Sequence, residues 1–291
     1  MYKIKYLIQL LRPNNWIKNL IIFSPIFFSG KMNDVILLKQ CWFAFISFSF
    51  LASSIYIIND YIDIEQDRIH PLKKDRPLAS GRVSIAYAGP LAISLLILGI
   101  GLILILFSKS TFYFSISYVV IMVTYCYLFR QKAIIDIGII AFGFVLRLYV
   151  GSSVTGIPNS MWIIIMTFLL ALFIALAKRR DDLINPVIND MEVRESLKGY
   201  NLRLVDSLII VLVPIIIVSY MLYCTAEENI TRIGENLYLT SVFVLFGFVR
   251  YLQIVFVKNL GGDPVQILYE DSTLKAIVVA WMATFGYLLY L

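Results

Sequence analysis

Residues 58–82 read INDYIDIEQDRIHPLKKDRPLASGR, between two apolar runs, near 36–58 and 84–107, that are each long enough to cross a bilayer as a helix. So much charge at the mouth of two hydrophobic helices points to a membrane bundle that carries a polar site at its rim. If the stretch begins as a helix, Asn59, Asp63 and Asp67 recur at i, i+4 and i+8 and stack along one face. Three oxygen-bearing side chains in a row suit a hard divalent cation. Mg2+ takes oxygen ligands, keeps several waters, and is usually held by one or two carboxylates while substrate phosphates complete its shell. Arg68, Lys73, Lys74 and Arg76 follow at once and suit phosphate oxygens.

The rest of the chain agrees with a membrane setting. With 60% hydrophobic residues, 15% charged residues and a mean hydropathy of +0.83, the composition excludes an ordinary soluble domain. Apolar runs predict about nine spanning helices, near 15–30, 36–58, 84–107, 111–128, 134–151, 160–178, 204–225, 236–256 and 274–291, in one all-α integral-membrane domain over residues 1–291. The basic, aromatic start of the chain has no small-residue cleavage site and reads as an interfacial helix leading into a retained span. Lys18 and Asn19 at the head of the short first span imply that this end lines a polar cavity. Cys41, Cys126 and Cys224 are scattered through apolar runs without metal-ligand spacing and read as buried structural thiols.

Basic residues orient the helices. They concentrate before span one, in residues 68–82, at Arg130 and Lys132, and around residues 178–203, which puts the N-terminus and these loops in the cytoplasm and the C-terminus outside a bacterial-type plasma membrane. The expected partners are a cytosolic anion, a lipid head group of the inner leaflet, or both, and no nucleic acid; a homo-oligomer is compatible with the pattern. A second charged cluster, Ala175-LAKRRDDLIN-Pro186, closes span six. Its arginines could be simple positive-inside anchors, but Asp181 and Asp182 are not needed for that, so the segment reads as the second wall of one polar cavity. Arg130, Lys132 and Asp136 form a basic step after span four, read either as cavity lining or as anchoring. Arg147 lies inside the apolar run of span five, where a charge is costly, and so has a functional or ion-paired role. His70 is the only histidine, which excludes a zinc site.

On these residues the chain resembles the UbiA superfamily of intramembrane prenyltransferases over essentially its whole length. The resemblance rests on the helix count, on the NDxxDxxxD pattern of residues 59–67 with the RPLASG of residues 76–81, and on the second motif after span six. It implies two acidic motifs that hold Mg2+ against a substrate diphosphate, and helices that enclose a lipid tunnel. One departure stands out: the second motif of such prenyltransferases is DxxxD, and here its first position is Lys178 and only Asp182 remains. A lysine there weakens a second metal site and suits an additional phosphate. The substitution, the opening Arg12-PNNWIK-Asn19, the Arg68-Ile69-His70-Pro71 extension and Gly262-Asp263-Pro264 are similar to the decaprenyl-phosphate phosphoribosyltransferase branch of that superfamily.

The resemblance therefore implies phosphoribosyl transfer from phosphoribosyl diphosphate to a polyprenyl phosphate, a precursor of cell-wall lipid, with prenyl transfer to an aromatic or lipid acceptor as the alternative. In either reaction the diphosphate leaves and a nucleophile attacks the cationic carbon. Asn59, Asp63 and Asp67 are the expected metal ligands; Asp63, Lys178 and Asp182 the catalytic set; Lys18, Asn19, Arg68, Lys74, Arg76, Arg130, Arg147, Lys178 and Arg179 the substrate contacts. A non-catalytic lipid carrier would explain the spans but not the acidic ladder.

Overall fold

The structure is a computed structural model, and it describes residues 2–69, 73–184, 195–257, 267 and 270–290. His70 and the Gly262–Pro264 connection, both singled out above, lie outside the described residues. Among those described, all regular structure is helical and eight helices are long and apolar enough to cross a membrane. Contacts group these eight helices into two compact units, one up to residue 159 and one beginning at residue 160.

The first unit contains α1 (Tyr2–Leu11), a 3-10 helix (Pro13–Phe23), α2 (Ser24–Phe28), α3 (Val35–Ile62), α4 (Ile64–Ile69), α5 (Ile85–Leu106), α6 (Lys109–Thr124) with a π-helical turn (Tyr125–Phe129), and α7 (Ile135–Thr155). Chain-local chemistry sets several ends. The Asp34 carboxylate accepts from the Ile36 and Leu37 amides to start α3, Ser108 accepts from Thr111 to start α6, and Gly156, at φ 68°, closes α7. Helix α3 is central and packs on α1, α5, α6, α7 and the 3-10 helix. Its buried Ser47, Ser49, Ser53 and Ser54 are small, which suits close helix approach where lipid supplies no hydrophobic drive. Gly99 of α5 is one such approach: a Cβ there would stand 2.6 Å from Leu51 Cδ2 and 2.8 Å from the Ser47 carbonyl oxygen. Phe48, Leu51, Ile55, Tyr118, Leu146 and Val150 form the core of this unit.

The second unit contains α8 (Met161–Ile184), α9 (Leu202–Thr225), α10 (Glu227–Ile233), a short 3-10 helix (Glu235–Thr240), α11 (Ser241–Phe256) and α12 (Ser272–Tyr290). Helix α8 packs on α9, and α11 on both α9 and α12. Asn201 caps α9 by accepting from the Leu204 amide at 2.8 Å. The buried Tyr220 hydroxyl is satisfied by Thr240 at 2.7 Å and by the Trp281 indole at 2.8 Å.

The first expected span differs in kind from the other eight. Instead of one α-helix over 15–30, the chain runs as the 3-10 helix Pro13–Phe23 followed by the single turn and a half of α2. At ~2.0 Å per residue for the first and ~1.5 Å for the second, the pair reaches about 30 Å, the thickness of a hydrocarbon core. Gly151 of α7 admits it, since a Cβ there would overlap the Ile22 carbonyl.

Candidate active site

The acidic ladder stands where α3 ends. Asp63 occupies the bridge region (φ −91°, ψ 1°) between α3 and α4, a conformation common at functional sites. The break does not lose the register: the Asp63 amide donates to the Asn59 carbonyl at 3.0 Å, and the Asp67 amide to the Asp63 carbonyl at 2.7 Å. The i, i+4, i+8 stack therefore survives. The Asn59 amide donates to Asp63 Oδ2 at 3.0 Å, and the Cys126 thiol to Asn59 Oδ1 at 3.7 Å.

Three arginines from three other segments converge on this helix end. Arg130, delivered by the π-helical turn, pairs with Asp63 Oδ1 and donates to Gln66 at 3.0 Å. Arg76, from the RPLASG segment, donates to Asp67 Oδ2 at 2.6 Å and to Asp60 Oδ1 at 3.1 Å. Arg12 reaches that same Asp60 oxygen and covers the Tyr56 ring at 5.5 Å. Burial pulls the Arg12 guanidinium below its ordinary pKa, opposed by the neighbouring Asp60 carboxylate. Asp60, Asp63 and Asp67 are all nearly inaccessible, at 3%, 5% and 3% exposure, so each charge depends on its guanidinium partner. Arg12 (φ 50°) and Ile134 (φ 70°), four residues beyond Arg130, hold left-handed backbone conformations unfavourable to residues with a Cβ.

Asp60 is a member of this cluster that the spacing argument passed over. Its signal was present: Asp60 and Asp67 are seven apart, two helical turns, and so share a face and one arginine. The Arg12–Asp60 contact spans 48 positions and left no local mark.

The other expected residues fall into distinct places. Lys18 is half-buried and Asn19 buried, the latter donating to Ser49 at 2.9 Å. Arg147 is buried among hydrogen bonds rather than in an ion pair: Nε donates to Asn19, Nη1 to the Gly143 carbonyl and Nη2 to the Tyr118 hydroxyl, at 2.8–2.9 Å. Its guanidinium is turned to protein groups. Arg68 pairs outward with exposed Glu65 at 2.9 Å, and Lys74 is exposed, so neither is drawn to the ladder. In the second unit Lys178 is exposed, Arg179 is buried and donates to Asp182 at 2.9 Å, and Arg180 is buried against Asp206 at 2.7 Å and the Val255 carbonyl at 3.1 Å. Asp136 is fully buried, and Cys41, Cys126 and Cys224 are free and buried.

Among the described residues no three acid, histidine or cysteine side chains surround one point. The donor set still fits Mg2+, which needs few protein oxygens: the Asn59 amide and the Asp63 carboxylate are adjacent, with Asp67 one turn on.

This chain matches, over residues 21–258, the family described as the UbiA prenyltransferase family, and it belongs to that family. It is therefore an integral-membrane transferase. A decaprenyl-phosphate phosphoribosyltransferase of Corynebacterium glutamicum is 28% identical over 282 residues, which cover 95% of this chain and 84% of that protein. The enzyme of the same name from Mycobacterium tuberculosis is 26% identical over 283 residues, with 96% and 92% covered. The structure of a UbiA homolog from Archaeoglobus fulgidus bound to GPP and Mg2+ superposes with a TM-score of 0.73 at 21% identity, covering 98% of this chain and 99% of that one, and so shares the fold.

Proposed function

We propose that this transferase moves a 5-phosphoribosyl group from phosphoribosyl diphosphate to a polyprenyl phosphate, with Mg2+ at the diphosphate. The observation that carries the choice of substrate is the match, along nearly the whole of both chains, to relatives named for that reaction. Lys178 supports it, because a cation where a second metal ligand would stand favours a donor with one more phosphate than a prenyl diphosphate has.

Asn59 and Asp63, with Asp67 directly or through water, are the residues that would hold Mg2+, which supplies neutralisation of the charge gathering on the departing diphosphate. The chain's own part is mostly positioning. Arg76, Arg130 and Arg12 lie on the ladder's acids and bring guanidinium forks within reach of phosphate oxygens bound beside them. Lys178 and Arg179 take phosphate in the second unit, where Asp182 fixes its basic neighbour Arg179. A lipid phosphate is already anionic near neutral pH, so attack on the ribosyl carbon needs no strong general base. The product keeps the lipid phosphate as its new linkage, and inorganic diphosphate leaves. The basic loops orient this chemistry to the cytoplasm, with the N-terminus on the same side and the C-terminus outside.

Membranes containing the protein, incubated with labelled phosphoribosyl diphosphate, polyprenyl phosphate and Mg2+, should form a labelled lipid. Prenyl transfer to an aromatic acceptor, with no phosphoribosyl product, would replace this reading by the ordinary chemistry of the family.

A further inference from the structure

The 3-10 helix Pro13–Phe23 is long for its type, since such helices seldom run beyond three or four residues. Its contacts explain the length. Residues three apart eclipse along a 3-10 helix and stand ~6 Å from one another, the same distance that four residues rise in an α-helix. Trp16, Asn19 and Ile22 form such a line. On α3, Ser53 and Ser49, four apart, meet the first two: the Trp16 indole donates to Ser53 Oγ at 3.0 Å and the Asn19 amide to Ser49 Oγ at 2.9 Å. The Ser53 hydroxyl itself donates to the Leu11 carbonyl at 2.8 Å. On α7, Arg147 and Gly151, again four apart, meet Asn19 and Ile22. An α-helical segment would turn each successive contact about 60° away from this line.

Arg147 is the middle of this seam. It is 4% exposed, and it stacks on Tyr118, Phe144 and Phe48 with its guanidinium carbon 4.6, 5.0 and 5.4 Å from the ring centroids. Among the described residues no carboxylate pairs with it. A cation so deep in an apolar helix is costly, and here it is held wholly by neutral acceptors and aromatic faces. Three elements, α6, α7 and the 3-10 helix, are tied to one side chain.

We propose that Arg147 and Asn19 are positioning residues that fix the register of the 3-10 helix and so seat Arg12, just before it, on Asp60. Conversion of residues 13–19 to α geometry would shorten that stretch by ~0.5 Å per residue, about 3.5 Å in all, enough to lift the Arg12 guanidinium out of hydrogen-bond reach. The inference rests on the reading that the Arg12–Asp60–Arg76 cluster serves the diphosphate.

The test is binding of inorganic pyrophosphate with Mg2+, a probe common to phosphoribosyl and prenyl donors, followed by titration calorimetry on the purified full-length protein. Arg12→Ala should weaken binding about tenfold, the scale seen when a residue supporting a metal site is lost. Asn19→Ala and Arg147→Gln should each match that loss, and the Arg12→Ala/Arg147→Gln double variant should bind no worse than Arg12→Ala alone. Asn19→Asp should recover most of the affinity, because its carboxylate still accepts from Arg147. Asn19→Ala and Arg147→Gln binding like the wild type, or a double variant whose losses multiply, would overturn the positioning role; if Arg147→Gln does not fold, the same comparison is made with Asn19→Ala. Wild-type binding by Arg12→Ala would instead overturn the diphosphate reading, and this inference with it.

Discussion

The two charged motifs each close a membrane-length helix, yet they are held by different means. At the first, partners come from far along the chain: Arg12 across 48 positions to Asp60, Arg130 across 67 to Asp63. At the second, Arg179 pairs three residues on with Asp182, and Arg180 with Asp206 of the next spanning helix. Four segments are needed to complete the first cluster, whereas the second joins the end of α8 to α9 and α11. A site assembled from distant segments exists only in the folded bundle, so its geometry reports on the fold; a pair within one helical turn needs little beyond the helix itself.

Perturbing each side shows how deep that difference runs. Asp63→Ala removes both the proposed metal ligand and the partner of Arg130, and should cut labelled lipid formation by about a hundredfold or more, while the purified protein still elutes as a single species. Asp60→Ala leaves two guanidiniums without their shared acceptor; since both arginines are about a quarter exposed, the expected loss is about 2 kcal/mol, read from denaturant unfolding. Lys178→Asp should raise the KM for phosphoribosyl diphosphate about tenfold with little change in stability, which would separate a substrate contact from a structural one. Arg68→Ala, whose partner Glu65 is exposed, should leave turnover within about twofold and stability within about 1 kcal/mol. A large effect at Arg68 would mean that the first cluster extends beyond the four segments assigned to it.

Much of this architecture was open to reading in advance. Eight apolar runs became spanning helices within a few residues, because lipid imposes one length and one backbone solution on all of them. The ladder was equally visible, since i, i+4 and i+8 spacing survives the kink at Asp63. The first run misled because hydropathy measures apolar length and is blind to helix type; its 3-10 form follows from Ser49, Ser53, Arg147 and Gly151, which lie 30 to 130 residues away. At Arg147 the ion-paired alternative fails for a related reason. A lone arginine in an apolar run suggests an acid or a substrate anion, whereas its partners are an asparagine, a carbonyl and a phenol, none of which carries a charge pattern.

The π-helical turn at Tyr125–Phe129 bears on how such a site tolerates change. The Arg130 amide reaches back five residues to the Tyr125 carbonyl at 2.9 Å, so this turn holds one residue more than an α-helical one. Deleting Tyr127, which is 61% exposed, would let the Arg130 amide close an ordinary α-helical bond on the same carbonyl, so Arg130 would keep nearly the same face of the axis and its place on Asp63. Helices of the same hydropathy, one residue apart in length, would then carry the arginine to the same acid. A one-residue gap at this turn in an alignment of relatives would accordingly leave the chemistry of the acids untouched.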